Sequence, residues 1–169
     1  GGAMLTSVSF ASAEVPEIHY GTEKVGELEI FYREAGQPSK PTLVLLHGFP
    51  TSSQMYRKVL NELKEDYHLI APDYPGFGES SAPSASEFTY TFDNIATVMD
   101  QFLEQKGLKS YTLMIQDYGA PIGYRIATKH PERVSGLIIM NGNAYEEGLG
   151  EEGWGPIFEY WKTKDTELG

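Results

Sequence analysis

The stretch IQDYGAPIG, residues 115–123, ends an apolar run at a carboxylate, Asp117. A glycine follows two residues on, and a helix-like segment comes after it. A strand that turns sharply into a helix and exposes one side chain at the bend has the layout of a nucleophile elbow. At a helix start, free N–H groups and the positive end of the dipole favour an ionised carboxylate. The N–H of Tyr118 would then point into the pocket. HGFP (47–50) would add a second N–H, from Phe49, to complete an oxyanion hole. His47, Gly48, Pro50 and Gly119 would shape the two turns. Plainer readings stay open beside these. Asp117 can be an ordinary helix N-cap, His47 a buried histidine bonded to backbone, and PGFG (75–78) a simple turn. Of these, His47 is expected to shape its loop rather than to titrate.

Strands and helices must bring these segments together. Glu17–Thr22 and Glu27–Arg33 read as two strands around a turn at Gly26, the second alternating and rich in aromatic and β-branched residues. TLVLLHG (42–48), YHLIAPD (67–73), YTLMIQ (111–116) and VSGLIIMNG (134–142) are apolar runs that suit strands buried on both faces. Ser52–Lys64, Phe92–Gln105 and Tyr118–Lys129 carry helical apolar stripes. Strands alternating with helices predict right-handed crossovers and an α/β fold, a mostly parallel sheet flanked by helices. Sites in such sheets lie at the carboxyl ends of the strands. HGFP, DYPGFGES (73–80) and QDYGAP (116–121) converge there.

Composition limits the alternatives. The chain has 169 residues, 40% hydrophobic and 22% charged, which fits one globular domain. A formal net charge of −11 argues against nucleic-acid binding and against anionic membrane surfaces. The sequence holds no cysteine, which excludes disulfides, thiolate metal sites and a cysteine nucleophile. The histidines are scattered without metal-ligand spacing, so neither metal nor cofactor is expected. Residues 1–16 read as a tag scar and a flexible N-terminus. Within it, Ala11-Ser12-Ala13 has the form of a signal-peptidase site, leaving both a cytoplasmic and a periplasmic or secreted location open. Residues 17–142 read as the core, and 143–169, acidic, glycine-rich and aromatic, as a connector and the start of a further domain.

Taken together, LLHGFPTSSQMYRKV, APDYPGFGES, FTYTFDNIATVMDQFLEQKGL and IQDYGAPIGYRIATKHPERVSGLIIMN resemble the α/β-hydrolase fold family. The resemblance is to the branch of epoxide hydrolases and haloalkane dehalogenases, in its N-terminal portion only. It implies that Asp117 is the nucleophile. It would attack an sp³ carbon of a small epoxide or organohalide to give an alkyl-enzyme ester, which a histidine-activated water hydrolyses. Dehalogenases of this branch hold the halide with an Asn after the HG and a Trp after the nucleophile. Here Phe49 and Tyr118 stand at those positions, so the epoxide-hydrolase pattern is the nearer one. A haloalkane dehalogenase-like enzyme and a catalytically inactive fragment or assembly module remain alternatives. An esterase-like reading fares worse, because a carboxylate attacking an ester carbonyl would give an anhydride.

The resemblance also implies what is missing. The family triad runs nucleophile, acid, histidine along the chain, and after Asp117 the only histidine is His130. A helix between them would put it roughly 18 Å away, where a basic side chain before a proline suits a helix terminus. The late acid, the catalytic histidine, the cap and the last strands are therefore expected outside these residues. VSGLIIM would then be an apolar edge strand, an association hazard. The expected partners are thus the missing C-terminal half or a second copy of the chain.

Overall fold

The computed structural model describes residues 17–49, 51–116 and 119–140, and the backbone of 158–161. The hairpin comes first, β1 (His19–Val25) and β2 (Leu28–Ala35). Val25 pairs with Leu28, so the loop is two residues long, and Gly26 takes the left-handed φ of 59° that such a turn needs. Next come β3 (Thr42–Leu46), a 3-10 turn (Ser53–Tyr56), α1 (Arg57–Leu63) and β4 (His68–Pro72). They are followed by α2 (Phe92–Gln105), β5 (Tyr111–Gln116), α3 (Ala120–Lys129), β6 (Val134–Met140) and β7 (Phe158–Trp161).

Among the described residues these strands form one sheet in the order β1-β2-β4-β3-β5-β6-β7. The middle four, β4, β3, β5 and β6, run parallel, and β1, β2 and β7 are added antiparallel. The chain leaves β3 to one side for β4 and returns to its other side for β5. The carboxyl ends of β3 and β5 therefore flank the topological switch point, where open α/β sheets bind ligands. HGF follows β3 there, and the segment beginning at residue 117 follows β5.

Helices cover both faces. Leu43 and Leu45 of β3 pack with Tyr56, Val59 and Leu60 on the α1 side. Val44 and Leu46 pack with Met99, Phe102, Ile122 and Ile126 on the α2–α3 side. This is the two-residue alternation of a strand buried on both faces. Helix α2 has the boundaries expected from the sequence because both ends are capped. Thr91 Oγ1 accepts the N–H of Asn94 at 3.1 Å. Gly107, at φ 74°, closes the other end with Leu108 N–H to Leu103 C=O (3.2 Å) and Gly107 N–H to Glu104 C=O (2.9 Å).

Three expectations need correction. The helix expected over 52–64 is a 3-10 turn followed by a short α-helix, because Ser52 caps Gln54 N–H and closes a tighter first turn. The helix expected from Tyr118 begins at Ala120. The third correction is that β6 is not an open edge. Phe158–Trp161 pairs with it antiparallel, from Met140↔Phe158 to Leu137↔Trp161, so the chain itself supplies the outer neighbour. The physical ground for expecting a second chain on that edge is removed. The remainder of the expected connector, 143–157 and 162–169, lies outside the described residues, as does 1–16.

Candidate active site

His47, Gly48 and Phe49 leave β3 at the switch point. The His47 imidazole is fully buried. Its Nε2 accepts the backbone N–H of Tyr74 at 3.0 Å, so the ring proton sits on Nδ1 and is donated to the Gly48 carbonyl at 2.7 Å. Burial pushes its pKa down to about 4; the Gly48 bond and the charge of Asp73 pull weakly the other way. His47 is thus a neutral hub that joins two loops, and the Tyr74 ring packs against it, tilted by 33° with ring centroids 3.8 Å apart.

Residues 73–81 are stitched down from several sides. The buried Asp73 carboxylate accepts Ser53 N–H at 2.6 Å and Glu79 N–H at 2.9 Å. Ser80 Oγ donates to the Asp73 carbonyl at 2.7 Å and accepts Phe31 N–H at 2.9 Å. PGFG is therefore more than a local turn. Gly76 and Gly78 have φ of 86° and 52°, and a Cβ at Gly78 would strike the Asp73 carboxylate.

Strand β5 ends at Gln116 and α3 begins at Ala120. Asp117 and Tyr118 fall between them and, like Pro50, lie outside the described residues. Their neighbours are tightly packed. A Cβ on Gly119 would lie 2.5 Å from the His47 carbonyl oxygen and 3.1 Å from the Tyr74 hydroxyl. A Cβ on Gly48 would run into the Gln116 side-chain amide. Two glycines, one in each turn, thus let β3's loop and the start of α3 touch backbone to side chain. The Tyr74 hydroxyl and Gln116 Oε1 are buried there with no hydrogen-bond partner among the described residues. Burial raises the Tyr74 pKa well above its ordinary value, so this phenol stays protonated.

Beside this junction lies a cavity of 630 Å³ lined by Phe49, Phe77, Tyr90 and Phe92, with Asp93 and Arg125 also in the lining. Phe49 meets Phe77 edge-on at 4.9 Å and Phe92 at 5.9 Å. Arg125 pairs with Asp93 at 2.6 Å and lies 5.5 Å over the Phe92 ring. An aromatic wall with an already paired cation suits an uncharged, apolar small molecule.

His130 stands at the C-terminal end of α3, far from this cavity along the helix. Its Nε2 is 2.9 Å from Asp100 Oδ2 on α2, and its Nδ1 is 3.2 Å from Glu132. His130 stands at the helix terminus, as expected, and these contacts also tie that end of α3 to α2 and to the turn that follows. Among the described residues no group of three or more His, Asp or Glu side chains could hold a metal, and no helix is long and apolar enough to cross a membrane. Sequence reasoning missed Asp73, Tyr74 and Gln116 as organisers of the site. The quoted segments contain all three, but their partners lie many residues away.

Comparison with known proteins agrees with this geometry. The family model described as the alpha/beta hydrolase fold matches residues 41–168. An uncharacterized hydrolase of Saccharomyces cerevisiae is 43% identical over 83% of this chain and 48% of its own length. A haloalkane dehalogenase of Bradyrhizobium diazoefficiens is 38% identical over 64% of this chain and 34% of its own. Mouse epoxide hydrolase 4 is 36% identical over 68% and 32%. Among solved structures, a haloalkane dehalogenase of Bradyrhizobium elkani superposes with a TM-score of 0.69 at 32% identity, covering 73% of this chain and 42% of that one. A variant of an epoxide hydrolase of Vigna radiata gives 0.67 at 30% identity, covering 73% and 38%. The chain thus spans less than half the length of these relatives. With its parallel sheet, its switch-point loops and this match over most of its length, the chain belongs to the α/β-hydrolase fold family and is related to haloalkane dehalogenases and epoxide hydrolases.

Proposed function

We propose that the chain is the N-terminal part of an Asp-nucleophile hydrolase, epoxide hydrolase-like, with Asp117 as the attacking group. The observation that carries this reading is the packing of Gly119 on the His47 carbonyl and the Tyr74 hydroxyl. Such contact is what a sharp strand-to-helix turn needs, and Asp117 is the carboxylate in that turn. A carboxylate oxygen of Asp117 bonds to a ring carbon of the epoxide. The carbon–oxygen bond of the ring breaks, and its oxygen takes a proton from solvent water, leaving hydroxide in solution. An ester and a hydroxyl result. The backbone N–H groups of Phe49 and Tyr118 are the proposed oxyanion hole for the second step, in which water attacks that ester. Activating the water requires a histidine. His47, His68 and His130 are each committed to other partners, and His19 sits on β1 at the far edge of the sheet, with two strands between it and β3 and three between it and β5, so this base lies outside the residues described.

The aromatic wall around Phe49 supports an apolar substrate. A dehalogenase-like reading is the second possibility, favoured by the dehalogenases among the relatives. Phe49 weighs against it, because its side chain offers no N–H to a departing halide. Intact-mass spectrometry after incubation with an aryl epoxide and, separately, an alkyl bromide separates the two. An Asp-nucleophile epoxide hydrolase gains the full epoxide mass at one-to-one stoichiometry. A dehalogenase-like site gains the alkyl group with loss of bromide. No covalent gain with either reagent excludes both.

A further inference from the structure

At the opposite pole, where β3, β4, β5 and β6 begin, lies a second cavity of 550 Å³. Lys40, Lys106 and Lys109 line it, together with the hydroxyl-bearing Thr42 and Ser110. Glu34 is the one carboxylate in this lining, and it is taken. His68 Nε2 lies 2.5 Å from Glu34 Oε2, on an imidazole whose side chain is only 5% exposed. The other ring nitrogen is 3.0 Å from Thr42 Oγ1. Lys106 Nζ donates to the Tyr32 hydroxyl at 2.9 Å and sits 4.3 Å from the centre of that ring, which holds the ammonium at the wall. Three lysines therefore line this cavity beside a single carboxylate, Glu34, which His68 holds.

The charge of the whole chain makes this local excess meaningful. At a net −11, the protein's overall field repels anions, so a cationic cavity here is not the by-product of a basic protein. No step of the proposed hydrolysis uses this pole. We propose that the cavity is a second binding site for a small molecule carrying a phosphate or pyrophosphate group. Lysine ammonium groups are point-charge partners for phosphate, and hydroxyls add donors to its remaining oxygens. A volume of 550 Å³ holds more than the anion alone, leaving room for an organic portion.

Inorganic phosphate and pyrophosphate are the probes, with acetate as the reference, titrated into the isotope-labelled chain and followed by amide NMR shifts. Saturable binding is expected, tighter for pyrophosphate than for phosphate, with shifts concentrated at residues 40–42 and 106–112. Lys40→Gln and Lys109→Gln should each weaken pyrophosphate binding about five-fold, the size of one close charge pair in a solvated setting. Lys58→Gln, on α1, should leave it unchanged. The proposal is overturned if pyrophosphate shows no saturation, if acetate binds equally well, if the shifts centre on Gly48 and Gly119, or if the two lysine variants bind as the parent does. Because the readout is binding at the far pole, it stands or falls separately from the nucleophile at the elbow.

Discussion

The N–H of Tyr74 donates to Nε2 of His47 across 3.0 Å, and this bond decides which nitrogen of the ring holds the proton. A protonated imidazole would present a second N–H to the Tyr74 N–H, donor against donor. The bond therefore holds only while His47 is neutral, and neutrality is what burial enforces.

A pH dependence follows from this. His47 is held down to about 4, from an ordinary value of 6.5. As pH falls between those values, the unfolded chain takes up a proton that the folded chain refuses. Stability present above about 6.5 is therefore lost progressively toward about 4, by about 3 kcal/mol in all. Glu34, lowered chiefly by its bond to His68, adds to the loss only below the ordinary carboxylate value of 4.5. Urea denaturation across this range should show the slope, and His47→Gln should flatten its upper part.

Close approach at the elbow predicts the effect of one methyl group. Gly119→Ala would place a Cβ 2.5 Å from the His47 carbonyl oxygen. The backbone must move apart, and we expect a loss of about 1–3 kcal/mol with the fold retained. Gly48→Ala would push the Gln116 amide aside and should cost a similar amount. Chemical denaturation of the two variants measures both.

Asp73 predicts a larger loss from a residue outside the proposed chemistry. Asp73→Ala strips the acceptor from Ser53 N–H and Glu79 N–H, bonded at 2.6 and 2.9 Å. Leaving these amides unpaired should cost about 3 kcal/mol, and Asp73→Asn, which keeps one acceptor oxygen, clearly less. Denaturant midpoints of the pair give the comparison.

His130 separates an anchor from a base. Its bond to Asp100 at 2.9 Å partners a carboxylate that is buried at the α2–α3 contact. His130→Gln should destabilise by about 2 kcal/mol while leaving the rate of covalent labelling by an epoxide unchanged. A variant that folds stably but labels many-fold more slowly would give His130 a part in the chemistry.

Much of the fold is legible because its signals are local. Runs such as LVLL and LIIM announce strands buried on both faces. Thr91 and Gly107 cap α2 from within its own neighbourhood, so its limits are readable to the residue. What escaped the sequence depends on distant partners. Asp73 bonds to Ser53, twenty residues back, and gives no local sign of doing so. Tyr74 reaches His47 from the end of the neighbouring strand, 27 residues along the chain. Strand β7 is a four-residue pairing behind a glycine-rich, acidic stretch, where nothing in the periodicity marks it. The apparent open edge at β6 was the consequence. For the site, the order of HGFP, PGFG and QDYG was legible, but the glycine contacts that press these turns together were not.

The central claim is that Asp117 is a nucleophile, and the most direct measurement locates its adduct. The chain is incubated with an aryl epoxide, digested, and the labelled peptide fragmented by tandem mass spectrometry. The account predicts one ester per chain, on Asp117 within the peptide spanning 115–123, and no label on Asp117→Asn. A label on another carboxylate, an undiminished label on Asp117→Asn, or a folded chain that takes up no label at all would contradict it.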